Sequence, residues 1–313
     1  MPLTETELGR LRAAGEVLRK GLVSPVTILG YTYDWAMFTA WSSAAGRQSL
    51  PASAETVSLY LTDLLEQGKK ITTARRRKCA IVYEHRARGF ASPATAEVTQ
   101  LLTGAQRIRA EKPRQMRALT VKQLRAMSID LEKLGTDVAI RNRAILVVGF
   151  ASALRRSNLA ALNLDDVEFC AKGLILSVNR EKNDPEAKGR LLAIPRGKHA
   201  NTCPVRTLRA WLRRRGGAHG PLFPRLDPKH EGQRMDGECI WRVVKKCVAR
   251  IGIDPADRWG AHSMRAGMIS AAGEADVGVL RIGAYTNQSP EIVRRYFRRQ
   301  ELWRNNPCAQ LGL

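Results

Sequence analysis

Two helical segments near the end of the sequence constrain this chain most. The first contains His262 and Arg265, whose three-residue spacing places them on one face of a helix. The second begins with Ser289-Pro290-Glu291, an order typical of an N-cap, a first-turn proline and an acidic first turn. It carries Tyr296 among four arginines: Arg294, Arg295, Arg298 and Arg299. A phenol surrounded by arginines, downstream of a His-x-x-Arg pair, predicts a nucleophile directed at a phosphate.

The charge of the chain indicates a folded protein that binds a polyanion. Its 313 residues include 52 Lys and Arg against 29 Asp and Glu, a formal net charge of +23. The excess is spread through segments of folded character, which favours nucleic acid over a ribosomal or membrane-associated role. Hydrophobic residues make up 44% of the chain, enough for true cores. We therefore expect one large domain or two of ordinary size.

The N-terminal sequence and the cysteines indicate the cellular compartment. The first residues lack the apolar stretch of a signal peptide and have the pattern of an amphipathic helix, and no window approaches a membrane span. We predict a cytoplasmic, nucleoid-associated protein with no membrane partner. The six cysteines are scattered without a C-x-x-C pair, so we expect reduced core thiols and neither disulfides nor a zinc site.

The sequence pattern predicts a mainly α fold with a small antiparallel β-sheet. Helical spacing and helix breakers predict that residues 1–110 are all helical, that residues 111–117 are a polar linker, and that residues 118–313 form an α+β domain. Short alternating or apolar runs predict three strands at 166–169, 174–179 and 191–194. An aromatic stripe that includes Trp35 and Phe38 is interpreted as core packing and not as a base-stacking platform.

A basic cluster in the N-terminal region is a candidate DNA contact. The helix predicted from Ile71 to Arg88 has Thr72 in its first turn, followed by Arg75, Arg76, Arg77 and Lys78. A charge run of this kind is usually a solvated face. At a helix N-terminus it is also suited to binding a DNA phosphate, so we predict that these residues contact DNA.

Cleavage of a phosphodiester bond by an alcohol requires few groups. The nucleophile must lose a proton, the phosphate oxyanions must be neutralised, and the leaving alkoxide must gain a proton. Arginine suits the second task because its guanidinium is always charged and binds phosphate with two hydrogen bonds. His262, Arg265 and Tyr296 therefore form half of such a site, which still lacks a second arginine and a general acid.

Over nearly its whole length the chain resembles the tyrosine recombinases, or phage integrases. The family's first arginine lies in a motif like G-x-x-L-R-x-S-E-L, here G-F-A-S-A-L-R-R-S-N-L, with Arg155 in that role and Arg156 beside it. The family's lysine lies in a β-hairpin, and V-N-R-E-K-N-D places Lys182 there, ahead of Lys188. H-S-M-R matches the family's H-x-x-R box, and V-R-R-Y ends on the nucleophile, Tyr296.

The resemblance implies a site-specific DNA recombinase that works through a 3′-phosphotyrosyl intermediate and exchanges strands by way of a four-way junction. Tyr296 attacks the phosphate, and Arg155 and Arg265 hold its non-bridging oxygens. Lys182 protonates the departing 5′-oxygen, and His262 assists proton transfer from the phenol. Neither a metal nor another cofactor is required.

The resemblance also implies the partners and the roles of the domains. Residues 1–110 correspond to a core-binding domain and residues from 118 onward to the catalytic domain, the two forming a C-shaped clamp round double-stranded DNA with inverted-repeat sites. Arg294 and Arg295, next to the nucleophile, are predicted to contact this DNA. The protein is expected to be a homotetramer on DNA and a monomer or weak oligomer when free. An apolar tail is expected to dock on the neighbouring protomer; it contains Leu302, Trp303, Leu311 and Leu313.

Two departures from the family pattern keep alternatives open. Asn287 stands nine residues before the tyrosine, where the family usually has His or Trp, and Asn158 stands where an acidic residue often follows the first arginine. Asparagine can hydrogen-bond a phosphate oxygen but cannot exchange a proton, so Asn287 is assigned to the oxyanion. The alternatives are a non-cleaving DNA-binding protein on the same fold and a type IB topoisomerase. Tyr285 is a rival nucleophile with a less suitable spacing.

Overall fold

The computed structural model describes residues 4–20, 23–111, 115–179, 189–297, 308 and 311. The chain divides into two compact units, Met1–Pro113 and Arg114–Leu313. The boundary lies inside the predicted linker, and the DNA-binding and catalytic roles assigned to the two units stay predictions at this point.

The first unit is helical throughout its described residues. Its helices are α1 (Glu5–Lys20), α2 (Pro25–Ala44), α3 (Ala54–Glu66), α4 (Ile71–Ala87) and α5 (Ala96–Arg109). Ser24 caps α2 and Ser53 caps α3, each by accepting a hydrogen bond from the backbone N–H three residues later. The last helix begins at Ala96, after a tight turn in which Thr95 N–H bonds to Pro93 O.

The core of the first unit is built from helical apolar faces. Phe38, Val57, Ile71 and Ile81 are all fully buried. Trp35 packs against this cluster with its ring centroid 5.5 Å from that of Phe38. The interpretation of Trp35 and Phe38 as core residues is therefore confirmed.

The second unit combines helices with one small sheet. Its helices are α6 (Val121–Leu134), α7 (Asp137–Ser152), α8 (Arg156–Ala161), α9 (Pro204–Arg215), α10 (Gly237–Arg250), α11 (Ala261–Glu274), α12 (Val279–Thr286) and α13 (Pro290–Phe297). Strands β1 (Val167–Phe169), β2 (Gly173–Val178) and β3 (Arg190–Pro195) form an antiparallel sheet in the order β1-β2-β3. Leu176 on the central strand pairs with Val167 and Leu192. A mainly helical fold with a small antiparallel sheet is thus confirmed.

Helix α7 lies at the centre of the second unit, and α11 packs against it. Ile145, Leu146 and Val148 are fully buried, as expected of a helix that is apolar on all sides. A Cβ added at Gly267 of α11 would lie 2.0 Å from the backbone oxygen of Leu119, so only glycine permits this approach. Leu119 N–H also bonds to Ser263 O at 2.9 Å. The residues entering the second unit are therefore fastened along α11.

The cysteine prediction is correct for pairing and wrong for location. All six cysteines are free, but Cys79 and Cys308 are exposed, and only Cys203 and Cys247 are buried. Burial raises the pKa of the Cys247 thiol to about 12, so this thiol stays protonated. None of the helices in the described part of the chain combines the length and apolar character needed to cross a lipid bilayer.

Candidate active site

A small apolar cluster holds the helix that carries Tyr296. Val293 and Phe297 of α13 pack with Ile269 of α11 and Ile282 of α12, and all four are buried. The Phe297 ring contacts α11 directly at Gly273, where an added Cβ would lie 2.2 Å from a ring carbon. Tyr296 lies beside this buried face and is itself half-buried. The apolar contacts of α13 therefore fix the direction in which the phenol points.

His262 lies in the first turn of α11 and faces the phenol. Its Nε2 is 3.0 Å from the hydroxyl oxygen of Tyr296. The pKa of His262 lies below its ordinary value, because partial burial of the ring disfavours the charged form and the guanidinium groups of Arg265 and Arg155 repel it. Part of the ring remains exposed. A neutral imidazole can accept the phenolic proton at this distance.

Arg265 joins two turns beneath this pair. Its side chain is 1% exposed, and its guanidinium donates one hydrogen bond to Ala153 O and one to Thr286 O, each at 2.5 Å. Ala153 ends α7 and Asn287 ends α12, and both adopt left-handed backbone conformations with φ of 50° and 51°. The buried arginine therefore links the ends of two helices that are far apart in sequence.

Arg155 follows the turn at Ala153 and stands immediately before α8. Its Nη1 atom is buried and has no hydrogen-bond partner in the described part of the chain. An unpaired buried guanidinium N–H is costly, so the position is suited to an anion. Its charge also reaches His262, whose pKa it helps to lower.

Of the two asparagines that depart from the family pattern, one adjoins a carbonyl that binds Arg265 and the other follows Arg155 by three residues. Asn287 directly follows Thr286, whose carbonyl binds Arg265. Asparagine is among the few residues that adopt the left-handed conformation readily, which fits this C-cap position. Asn158 lies on α8, three residues after Arg155, and is buried.

The Tyr285 side chain is engaged with the backbone of α7. Its hydroxyl donates a hydrogen bond to Ala151 O at 2.9 Å, and burial raises its pKa to about 12. The ring packs against the main core of the second unit. A phenol that is engaged with the backbone and harder to ionise is a poor nucleophile, which favours Tyr296 over this rival.

The basic cluster on α4 requires a correction. Arg77 is buried, donates a hydrogen bond from Nη1 to the Tyr60 hydroxyl at 2.6 Å, and lies 3.7 Å from the carboxylate of Asp34. Arg76 pairs with the same carboxylate at 2.9 Å while part of its side chain stays exposed. The prediction that Arg77 binds DNA is therefore wrong, since its charge is used inside the unit. Asp34, the lone charge in apolar α2, was the signal for a buried partner.

The other predicted DNA contacts differ in exposure. Thr72 and Arg75 on α4 are exposed and Lys78 is half-buried, and Arg294 and Arg295 on α13 are exposed. Lys182 and Lys188 lie outside the described residues, as do Leu302, Trp303 and Leu313 of the predicted tail. Leu311 of that tail is described and is 67% exposed.

Sequence reasoning missed the backbone groups that organise the site. The carbonyls of Ala153 and Thr286, which anchor Arg265, carry no side-chain signature, and an alanine with positive φ is not detectable from its neighbours. Among the described residues, no three His, Cys, Asp or Glu side chains are close enough to hold a metal ion.

A tyrosine within hydrogen-bonding distance of a histidine, whose ring lies within electrostatic reach of two arginines, is suited to the transfer of a phosphodiester by nucleophilic attack. Residues 117–301, more than half of the chain, match the model of the phage integrase family. The chain is 32% identical over 297 residues to an integrase/recombinase xerD homolog of Selenomonas ruminantium, which covers 91% of this chain and 85% of the relative. It is 23% identical over 248 residues to tyrosine recombinase XerD of Yersinia pestis, covering 76% and 75%. The chain belongs to the phage integrase family of tyrosine recombinases.

Solved structures show the same fold. An integrase of transposon Tn1549 in complex with transposon right end DNA superposes with a TM-score of 0.64 at 13% identity, covering 93% of this chain and 97% of that one. A lambda integrase dimer bound to a COC′ core site gives a TM-score of 0.58 at 14% identity, covering 91% and 93%. The protein is accordingly a site-specific tyrosine recombinase that acts on DNA, a strand transferase, as the sequence predicted. The non-cleaving and topoisomerase alternatives lose their support.

Proposed function

We propose that Tyr296 cuts one strand of a DNA site by attacking the scissile phosphate through its hydroxyl oxygen. The observation that carries this proposal is the 3.0 Å separation between that oxygen and His262 Nε2. The lowered pKa of His262 supports it further, because a neutral imidazole can take the proton that the phenol must lose.

The proposed step exchanges one ester bond to phosphorus for another. A bond forms between the Tyr296 oxygen and phosphorus, and the bond from phosphorus to the 5′-oxygen breaks. The phenolic proton passes to His262, and Lys182 gives a proton to the departing 5′-oxygen. Attack by a 5′-hydroxyl on the phosphotyrosine reverses the reaction and joins strands. Because the phosphotyrosine keeps the bond energy, neither a nucleotide nor a metal cofactor is needed.

The non-bridging oxygens are assigned to Arg155, Arg265 and Asn287. Arg155 is supported by its unpartnered, buried Nη1 atom, which an oxyanion would satisfy. Arg265 is supported by its charge, which reaches His262 beside the nucleophile. Asn287 is supported by its place next to the turn that Arg265 holds.

The partner is assigned as double-stranded DNA carrying inverted-repeat sites. Unit Met1–Pro113 is assigned as the core-binding domain. Its exposed Thr72 and Arg75, with Lys78, are assigned to contacts with the DNA phosphate backbone. Arg294 and Arg295 are assigned to the backbone near the scissile phosphate. The net charge of +23 supports such a partner. We further assign a homotetramer on DNA, a monomer or weak oligomer when free, and a place in the cytoplasm with the nucleoid.

A suicide substrate tests the proposal. A pool of nicked duplexes with random arms is incubated with the protein, and duplexes that become covalently attached are recovered and sequenced. On one captured duplex, Tyr296→Phe is expected to bind with unchanged affinity and to form no adduct, because only the hydroxyl is removed. Tyr285→Phe is the matched control and is expected to form the adduct.

The outcomes separate the two tyrosines. An adduct that persists in Tyr296→Phe would show that another residue is the nucleophile. Loss of the adduct only in Tyr285→Phe would identify Tyr285 as the nucleophile. Absence of any adduct from the wild-type protein on every captured or family-derived duplex would defeat the cleavage mechanism itself.

A further inference from the structure

Two arginines hold adjacent carbonyl groups at the end of α12. Arg265 donates to Thr286 O from α11, and Arg190 donates from Nη1 to Tyr285 O at 2.8 Å. Arg190 is the first residue of β3, where it pairs with Val178 of β2. These two carbonyls immediately precede Asn287, which is assigned to the oxyanion.

We propose that Arg190 is a positioning residue for DNA cleavage: it holds the last turn of α12 in place so that Asn287 is presented to the scissile phosphate. The proposal rests on the role given to Asn287 above. It assigns Arg190 no contact with the DNA.

The need for this contact follows from the shortness of α12. The helix spans eight residues, and only Ile282, Gly283 and Thr286 within it are buried. The last carbonyl groups of a helix have no partner within the helix, and a cation near them interacts favourably with the negative end of the helix dipole. Arg190 supplies both a donor and a positive charge at Tyr285 O.

The end of α12 is fastened from three sides. Arg190 ties Tyr285 O to β3, the Tyr285 hydroxyl ties its side chain to Ala151 O of α7, and Arg265 ties Thr286 O to α11. Of these three bonds, the one from Arg190 comes from the sheet. Without it, the turn can shift relative to β3, and a shift of about 1 Å at a reacting centre costs roughly a hundredfold in rate.

Single-turnover cleavage of one captured duplex tests the proposal. Arg190→Gln is expected to slow cleavage roughly tenfold to a hundredfold, with DNA affinity and melting temperature close to those of the wild type. Arg190→Lys keeps one N–H donor and a charge, so it should recover most of the rate. The matched control is Arg196→Gln, since Arg196 also donates to a carbonyl, that of Ala171, at the far end of β3.

A double-mutant cycle adds a measurement that a purely structural role would not affect. Asn287→Gly removes the amide without straining the left-handed backbone. If Arg190 acts through Asn287, then Arg190→Gln combined with Asn287→Gly should be no slower than the slower single variant, within about threefold. Should Arg190→Gln fail to fold, the same cycle is run with Arg190→Met, which keeps an unbranched apolar stem but has no donor for Tyr285 O.

Several results would overturn the inference. One is cleavage by Arg190→Gln at the wild-type rate; another is a double variant whose losses multiply as independent effects. A third is an equal loss in Arg196→Gln. An absence of adduct from the wild type would instead defeat the mechanism proposed for Tyr296, so the two failures are distinguishable.

Discussion

The Nε2 of His262 lies 3.0 Å from the hydroxyl oxygen of Tyr296, across 34 residues of sequence. The two groups come from different helices of the same chain, α11 and α13. The proposed nucleophile and a proton acceptor for it are therefore neighbours, and the protonation state of His262 becomes the first property to test.

Cleavage should fall at acid pH because His262 must be neutral to accept a proton. Its folded-state pKa is below the ordinary 6.5, so the rate should be level near neutrality and decline only as the pH falls below 6.5. His262→Gln should slow cleavage roughly a hundredfold and remove this acid limb. Single-turnover rates between about pH 5 and 9 decide the matter. An acid limb retained in the variant would assign it to another group.

The same shift has a defined effect on stability. The unfolded chain binds the His262 proton at a higher pH than the folded chain does, so protons favour unfolding as the pH drops through 6.5. The acid dependence of the unfolding midpoint should therefore be weaker in His262→Gln than in the wild type. An identical dependence in both would contradict the lowered pKa.

Three substitutions at Asn287 separate its amide from its backbone conformation. Asn287→Gly removes only the side chain and should lose about 1–3 kcal/mol of transition-state stabilisation, roughly tenfold to a few hundredfold in rate. Asn287→Ala should lose the same rate and also about 1 kcal/mol of stability, because its φ of 51° is unfavourable for alanine.

Asn287→His should be tolerated. Histidine adopts the left-handed region more readily than most residues, and its imidazole restores a hydrogen-bond donor and a proton-transfer group. Its cleavage rate should equal or exceed that of the wild type. If Asn287→Gly cleaves as fast as the wild type, the amide makes no contact with the phosphate.

Arg75 and Arg77, on the same helix, should give opposite phenotypes. Arg77→Ala removes a hydrogen bond to the Tyr60 hydroxyl and leaves Arg76 to pair with the buried carboxylate of Asp34, so it should destabilise α4 by about 1–3 kcal/mol. Hydrogen exchange of α4 peptides in the full chain measures this change. Arg75→Ala should leave that exchange unaltered, weaken DNA binding, and reduce the slope of log affinity against log salt by about one. Equal effects of the two variants on stability would contradict the buried network.

Chelation should leave cleavage intact. The positive charge on the phosphate oxygens is assigned to Arg155 and Arg265, so EDTA should not change the single-turnover rate. Binding should instead weaken steeply with salt, because contacts with the phosphate backbone dominate it. Loss of cleavage in EDTA and its recovery with Mg²⁺ would show that a metal ion takes part.

Much of the fold was predictable because its signals are local. Ser24 before Pro25 marks the start of α2, and Thr120 with Gln123 forms the capping box that starts α6. The three strands follow from short runs bounded by turns. Local signals leave the start of α5 open near Pro93, since proline favours a first turn without requiring it, and the helix begins only after Thr95.

The site was predictable where side-chain type and spacing carry the information. The spacing of His262 and Arg265 and the arginines around Tyr296 identified the chemistry, and the structure brings His262 and Tyr296 together. Spacing along one helix could not distinguish Arg77, which is buried, from exposed Arg75, because the difference depends on Asp34 in another helix. It could not reveal partners that are backbone carbonyls, such as Ala153 O, 112 residues from Arg265.

The burial of Arg265 bears on how a protein of this kind would decay. Removal of its guanidinium leaves two buried carbonyl groups without their donor, at a cost of about 1–3 kcal/mol each. Such a substitution therefore destabilises the fold as well as removing a group proposed for the chemistry. The hydroxyl of Tyr296 lies at the surface side of a short helix, and its loss leaves the packing of Phe297 and Val293 untouched. In a descendant that is no longer under selection for activity, we therefore expect the tyrosine to be substituted earlier than the arginine. An arginine at the position of Arg265 in a relative therefore indicates common descent, whereas a tyrosine at the position of Tyr296 is the better indicator of an active enzyme.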